Sequence, residues 1–76
     1  MAMNQELDTS GLKCPLPVLK AKKALRAMEP GEVIRVTATD PDSMQDFPEY
    51  CANAGHQLLQ AAEAEGVFTF RIRKSG

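Results

Sequence analysis

Apolar and polar residues alternate in two segments of the chain, residues 33–38 and 67–73. Alternation with a period of two is typical of a strand that buries one face and exposes the other. The residues predicted to point inward are Ile34, Val36, Ala38, Phe68, Phe70 and Ile72. Residues 5–8 form a weaker and shorter strand candidate near the start of the chain.

Two other segments, residues 15–28 and 44–54, carry apolar residues at helical spacing. The predicted buried positions are Val18, Ala21, Leu25 and Met28 in the first segment and Met44, Phe47, Cys51 and Ala54 in the second. The second helix could be capped by Ser43 or by Asp46. Only a cap at Asp46 would place Pro48 early in the helix, where its missing N–H costs little, and the pattern leaves the choice open.

Residues 57–65 are ambiguous, because their Leu, Ala, Gln and Glu content favours a helix by propensity. The strand predicted for residues 67–73 needs a neighbour, however, and a hairpin through Glu65 and Gly66 would supply one. We therefore predict a strand here and the order β-α-β-α-β-β. This order indicates an α+β fold, a two-layer α/β sandwich in which two helices cover one face of a four-stranded mixed sheet. Residues 1–76 are expected to form one domain, with residues 1–4 as a loose terminus.

The composition narrows the range of functions. A net charge of −1 argues against a dedicated nucleic-acid binder. No apolar run is long enough to suggest a signal peptide or a membrane span, so a cytoplasmic protein without membrane insertion is expected. The two cysteines form no disulfide framework. The chain shows neither clustered metal ligands nor a glycine-rich phosphate loop, so no metal or resident cofactor is expected.

Cys14 is the residue whose surroundings point most clearly to chemistry. It precedes the first predicted helix, and Pro15 and Pro17 follow it in a Cys-Pro-x-Pro pattern. The free N–H groups and dipole of the helix start, together with the cation of Lys13, predict a lowered thiol pKa. A low pKa speeds the departure of a sulfur atom that carries a group. The site therefore suits a covalent relay.

The other reactive side chains fit ordinary catalysis poorly. Pro17 stands where a thioredoxin-type site needs its second cysteine, which excludes internal disulfide cycling at this motif. His56 is far from Cys14 in the sequence and is expected to be structural or on the surface. Cys51 shares the apolar face of the second helix and is expected to belong to the core.

The chain resembles the TusA/SirA-like sulfur-carrier family over almost its whole length. The matching segments are Leu7–Asp8, Gly11–Val18, Met28–Glu32, Asp40–Pro41, Asp46–Pro48, Cys51, His56–Leu58 and Ile72–Lys74. The resemblance implies that Cys14 accepts sulfane sulfur as a persulfide from a cysteine desulfurase or a rhodanese-like sulfurtransferase and passes it to an acceptor protein. Family members serve 2-thiouridine synthesis in tRNA, molybdenum-cofactor assembly or sulfur oxidation.

The resemblance also implies a relay rather than a stand-alone enzyme, with sulfane sulfur on Cys14 as transient cargo. Lys22, Arg26 and Asp40 match charged positions of the family and are candidates for partner docking. Leu16 stands where the best-known member has Glu, which bears on the choice of partner.

Two alternatives remain at this point. One is an RNA-binding module that uses Arg35, Arg71 and Arg73 on the open sheet face, and the other is a thiol redox regulator.

Overall fold

Six elements follow one another in the computed structural model, which describes residues 4–75. They are β1 (Asn4–Thr9), α1 (Leu16–Arg26), β2 (Val33–Ala38), α2 (Ser43–Ala54), β3 (Gln57–Ala64) and β4 (Val67–Arg73). The predicted order of helices and strands is confirmed. Asn4 belongs to β1 rather than to a loose terminus, and the rest of that prediction, on residues 1–3, lies outside the described part of the chain.

The four strands form one mixed sheet in the order β1-β2-β4-β3. β1 runs parallel to β2, whereas β4 runs antiparallel to both β2 and β3. The inward side chains of β2 and β4 face each other in register, with Ile34 opposite Ile72 and Val36 opposite Phe70. They form the core with the buried residues of both helices. The two-layer sandwich is therefore confirmed, and the other face of the sheet is open.

The hairpin between β3 and β4 explains why residues 57–64 form a strand despite their helical propensity. Glu65 and Gly66 both have positive φ values, 52° and 81°, as the two-residue turns that match strand twist require. The Glu63 side chain accepts the N–H of Gly66 at 2.9 Å. The pairing with β4 that this turn sets up outweighs local propensity.

Helix α2 begins earlier than either sequence alternative allowed. Asp42 occupies the N-cap position without a side-chain capping bond, so neither Ser43 nor Asp46 caps the helix, and Pro48 lies inside it. Ser43 is buried together with Phe47 and Cys51, at intervals of four residues. The predictions for Met44 and Ala54 are wrong because both lie off this face and are exposed. Phe47 stacks on Phe70 with ring centroids 4.5 Å apart, which anchors α2 to the sheet.

In α1 the predicted buried residues lie on the core side. Ala21 and Leu25 are buried, Val18 is half-buried, and Met28 is buried just beyond the end of the helix. No helix in the described part of the chain is long and apolar enough to span a membrane.

Candidate functional site

Cys14 lies immediately before α1, in the loop that leaves β1. Pro15 occupies the N-cap position, the Cys14–Pro15 peptide bond is cis, and Leu16 is the first helical residue. The N–H of Leu16 donates to the carbonyl of Lys13 at 2.8 Å, which closes a tight turn around the cysteine. Pro17 is buried, whereas Cys14 is a free and exposed thiol. The motif therefore presents the sulfur at the surface on a rigid support.

Asp40, in the loop between β2 and α2, fixes the backbone of Cys14. Its carboxylate accepts the backbone N–H of Cys14 and, at 3.0 Å, that of Asp42. These two bonds lower the pKa of Asp40, the one from Cys14 more strongly. A second link joins the same loops, since Gly11 N–H donates to Thr39 Oγ1 at 2.8 Å. Asp40, which the sequence suggested for docking, thus already serves to position the cysteine.

Asp46, in the first turns of α2, contacts the sulfur itself. The Cys14 Sγ lies 2.7 Å from Asp46 Oδ2, so the thiol donates a hydrogen bond to the carboxylate. This bond is the largest cause that raises the pKa of Cys14 from 9.0 to about 11, followed by desolvation and by the negative charges of Asp46, Asp42 and Asp40. The sulfur is held in its neutral form because a thiolate here would face carboxylates.

The predicted lowering of the Cys14 pKa is therefore wrong. The prediction counted the helix start and Lys13, which are local in the sequence. The carboxylates come from residues 40–46, which the parallel pairing of β1 with β2 brings beside the end of β1. The charge of Lys13 acts on Asp40, whose pKa it lowers.

Two grooves meet at Cys14. One, of about 300 Å³, runs between the helices and is bordered by Val18 and Asp46 and, further on, by Tyr50. The other, of about 510 Å³, lies between the loops that follow β1 and β2. Cys14 thus borders two separate surface grooves.

A third groove, of about 410 Å³, continues the surface between the helices. It shares Tyr50 and Asn53 with the groove at Cys14. Its cationic side chains are Lys22, Arg26 and Lys74. The structure thus places Lys22 and Arg26 on the same continuous surface as the sulfur, at the end away from its carboxylates.

Exposed apolar side chains lie near Cys14 on α1. Leu16 and Leu19 retain 46% and 50% of their accessible surface. Leu16 follows the cysteine by two residues and is therefore available to a protein that approaches the sulfur.

The comparisons with known proteins agree with this arrangement. Residues 5–74 match the family described as sulfurtransferase TusA. The chain belongs to the TusA family. It is 51% identical over 72 residues to the sulfur carrier protein TusA of Allochromatium vinosum, with 95% of each chain covered. It is 43% identical over 68 residues to the TusA of Pseudomonas entomophila, covering 90% of this chain and 85% of the relative.

A solved SirA-like protein from Desulfitobacterium hafniense has the same TusA/SirA-like fold. It superposes with a TM-score of 0.82 at 32% identity, covering 97% of this chain and all of the other. The relatives named as TusA sulfur carriers support a sulfur-carrier role for this chain as well.

The two other reactive side chains of this TusA-family chain, Cys51 and His56, lie outside the two grooves at Cys14. Cys51 is 2% exposed, burial raises its pKa to about 11, and the predicted core position is confirmed. His56 accepts the N–H of Ser75 at its Nδ1 at 3.2 Å, and its ring packs against Tyr50. His56 borders the third groove, with Lys22, Arg26 and Lys74, and neither of the two grooves at Cys14. Among residues 4–75 no group of three or more His, Cys, Asp or Glu side chains is arranged to hold a metal ion.

Sequence reasoning missed Asp46 as a site residue and considered it only as a cap of α2. The resemblance to the family at Asp46–Pro48 was a signal that Asp46 matters. The contact between its carboxylate and the sulfur of Cys14, however, becomes visible only once α2 is placed beside the Cys14 loop.

Proposed function

We propose that this chain carries sulfane sulfur as a persulfide on Cys14, which it accepts from a cysteine desulfurase or another sulfurtransferase and passes to an acceptor protein. The observation that carries the proposal is the position of Cys14, a free and exposed thiol where two grooves meet. Cys51 is buried in the core and is in no position to serve partner proteins.

The transfer of sulfur needs no cofactor, because each bond that forms is matched by one that breaks and the proton is accounted for. Cys14 Sγ attacks the outer sulfur of the donor's persulfide, the sulfur–sulfur bond of the donor breaks, and the departing donor sulfur takes up the proton that Cys14 loses. In the second step an acceptor cysteine attacks the outer sulfur on Cys14 in the same way, and Cys14 is regenerated as a thiol. We infer a protein acceptor, because the cargo has no second cysteine at the motif to move to.

The family suggests three destinations for the sulfur: 2-thiouridine in tRNA, molybdenum-cofactor assembly and sulfur oxidation. We infer a cytoplasmic location, since an exposed carrier thiol needs a reducing compartment. We propose that three residues contact the partners. Leu16 is exposed next to Cys14, and Lys22 and Arg26 border the third groove, which continues the surface between the helices.

Two other functions are less well supported. A redox-sensing cysteine needs thiolate character, which the carboxylates around Cys14 disfavour. Because sulfur acceptance also uses the thiolate, it is the relatives named sulfur carriers that favour the carrier over a redox regulator. Single-stranded RNA binding relies on exposed aromatic rings for base stacking. The three Phe residues are all buried and Tyr50 borders the helical grooves, so none lies on the open sheet face with Arg35 and Arg71.

The test is a loading experiment with a cysteine desulfurase, cysteine and pyridoxal phosphate, followed by intact-protein mass spectrometry. Wild type is expected to gain the mass of one sulfur atom, which a thiol reductant then removes. Cys14→Ser should gain nothing, whereas Cys51→Ala, the matched control, should load like wild type. A Cys14→Ser protein that gained the same mass would refute the proposal.

A further inference from the structure

We propose that Asp46 is a positioning residue for the reaction of Cys14, which holds the empty carrier's thiol by a hydrogen bond and releases the sulfur once it is loaded. The inference rests on the proposed function, because it concerns the empty and loaded forms of the same cysteine.

The geometry fixes Cys14 from two sides. The carboxylate of Asp40 holds the backbone N–H, and the carboxylate of Asp46 holds Sγ at 2.7 Å. The two acids come from different elements, the loop after β2 and the helix α2. Since the backbone and the sulfur are both bonded, the side chain of Cys14 has one favoured direction, toward Asp46 in the groove between the helices.

The hydrogen bond exists only while the sulfur carries a proton. A thiol can donate to a carboxylate, but the inner sulfur of a persulfide has no proton and offers only lone pairs. In the loaded carrier, Sγ and Asp46 would therefore face each other as two acceptors. A persulfide is also more acidic than a thiol, so near neutral pH its outer sulfur is an anion rather than a donor that could replace the lost bond. The contact changes from attractive to repulsive on loading, which favours turning the persulfide away from Asp46 and toward the surface where an acceptor approaches.

The charges that face the sulfur reinforce this difference. Asp40 and Asp42 come from the loop before α2, while Asp46 and Glu49 border the site from α2 itself. Lys13 is the cation on the Cys14 loop, and its charge acts on Asp40. Because the surroundings are acidic, the empty thiol stays protonated near neutral pH, and a partner that pairs with Asp46 would free it for attack.

The test is the pH dependence of alkylation of Cys14 by iodoacetamide, followed by mass spectrometry. In Asp46→Asn the shape of the side chain is kept and the charge is removed. If the pKa moved from about 11 back to 9.0, the thiolate fraction at pH 8 would rise about 100-fold and nucleophilicity would fall about tenfold. These two factors combine to a gain of about tenfold, which is an upper limit because desolvation and the charges of Asp42 and Asp40 remain in the variant. We therefore expect the rate at pH 8 to rise by up to about tenfold, with the rate profile displaced to lower pH.

The matched control is Asp42→Asn, which removes a nearby charge that makes no hydrogen bond to the sulfur. It is expected to accelerate alkylation much less than Asp46→Asn, because Asp42 acts on Cys14 through its charge alone. Equal profiles for the two variants, or an Asp46→Asn profile that coincides with wild type, would overturn the inference. Far-UV circular dichroism establishes that each variant is folded.

A second measurement needs no variant. Alkylation of the wild type should accelerate when ionic strength is raised, since salt screens exposed carboxylates. A rate that falls with salt would contradict the acidic surroundings on which the inference depends, even if Asp46→Asn failed to fold. The loading experiment on Cys14 separates the two proposals. If Cys14 loads sulfur but Asp46→Asn alkylates like wild type, only the positioning role fails. A Cys14 that loads neither from the cysteine desulfurase nor from a rhodanese-like sulfurtransferase with thiosulfate removes the proposed function itself.

Discussion

Replacing Phe47 by Ala should strongly destabilise the fold, because this side chain anchors α2 to the sheet. Phe47 is fully buried and stacks on Phe70 with centroids 4.5 Å apart. Truncation of a buried Phe to Ala costs about 3–5 kcal/mol. Stabilities of about 0.05–0.15 kcal/mol per residue correspond to roughly 4–11 kcal/mol for a chain of this size. Phe47→Ala is therefore expected to remove between about a quarter and all of the stability.

The stacking contribution can be separated from burial by a double-mutant cycle with Phe47→Leu and Phe70→Leu. Aromatic pairs contribute about 0.5–1.5 kcal/mol beyond the area that they bury, so the cycle should give a coupling energy in that range. The assay is urea unfolding followed by far-UV circular dichroism, since the chain has no Trp. A loss below about 1.5 kcal/mol for Phe47→Ala, or a coupling energy of zero, would refute the reasoning about this anchor.

Two further predictions concern partner docking and acid stability. The double variant Lys22→Glu/Arg26→Glu should slow sulfur transfer with a partner protein, most at low ionic strength, while alkylation of Cys14 by a small reagent stays unchanged. Lys20→Glu, on the same helix but outside the groove, is the control, and an equal effect there would contradict a specific contact. Asp40→Asn should be less stable than wild type at neutral pH, because the folded state lowers the pKa of Asp40 below 3.8. That difference should shrink in urea titrations as pH falls through the folded-state value, and a constant difference would count against it.

The sequence was sufficient for the fold where patterns are local and periodic. The alternation that ends in Phe68, Phe70 and Ile72 identified β4 and its buried face. Residues 57–64 were assigned to a strand only because β4 needed a partner, since their own propensity favours a helix. The face of α2 was less predictable, because the buried stripe continues from Phe47 and Cys51 to Ser43, four residues earlier, and leaves Met44 exposed.

The candidate site also had a part that local sequence patterns predicted and a part that they did not. Cys14 and its prolines could be recognised from a short motif and from the family resemblance. The electrostatics could not, because the carboxylates of Asp40 and Asp46 are 26 and 32 residues away in the sequence. Only the parallel pairing of β1 with β2 brings the loops that follow these strands together. A local motif therefore indicated which atom reacts, while the long-range topology determined the charge around it.

The continuous surface between the helices has opposite charges at its two ends, with Asp46 and Glu49 beside the sulfur and Lys22 and Arg26 at the far end. A partner segment lying there in reverse would meet like charges at both ends, so the surface favours one direction of approach. A donor and an acceptor that both bind through this arrangement of charges compete for the same surface between the helices. Loading and unloading are then separate encounters, since the carrier has to leave its donor before an acceptor can occupy the same surface.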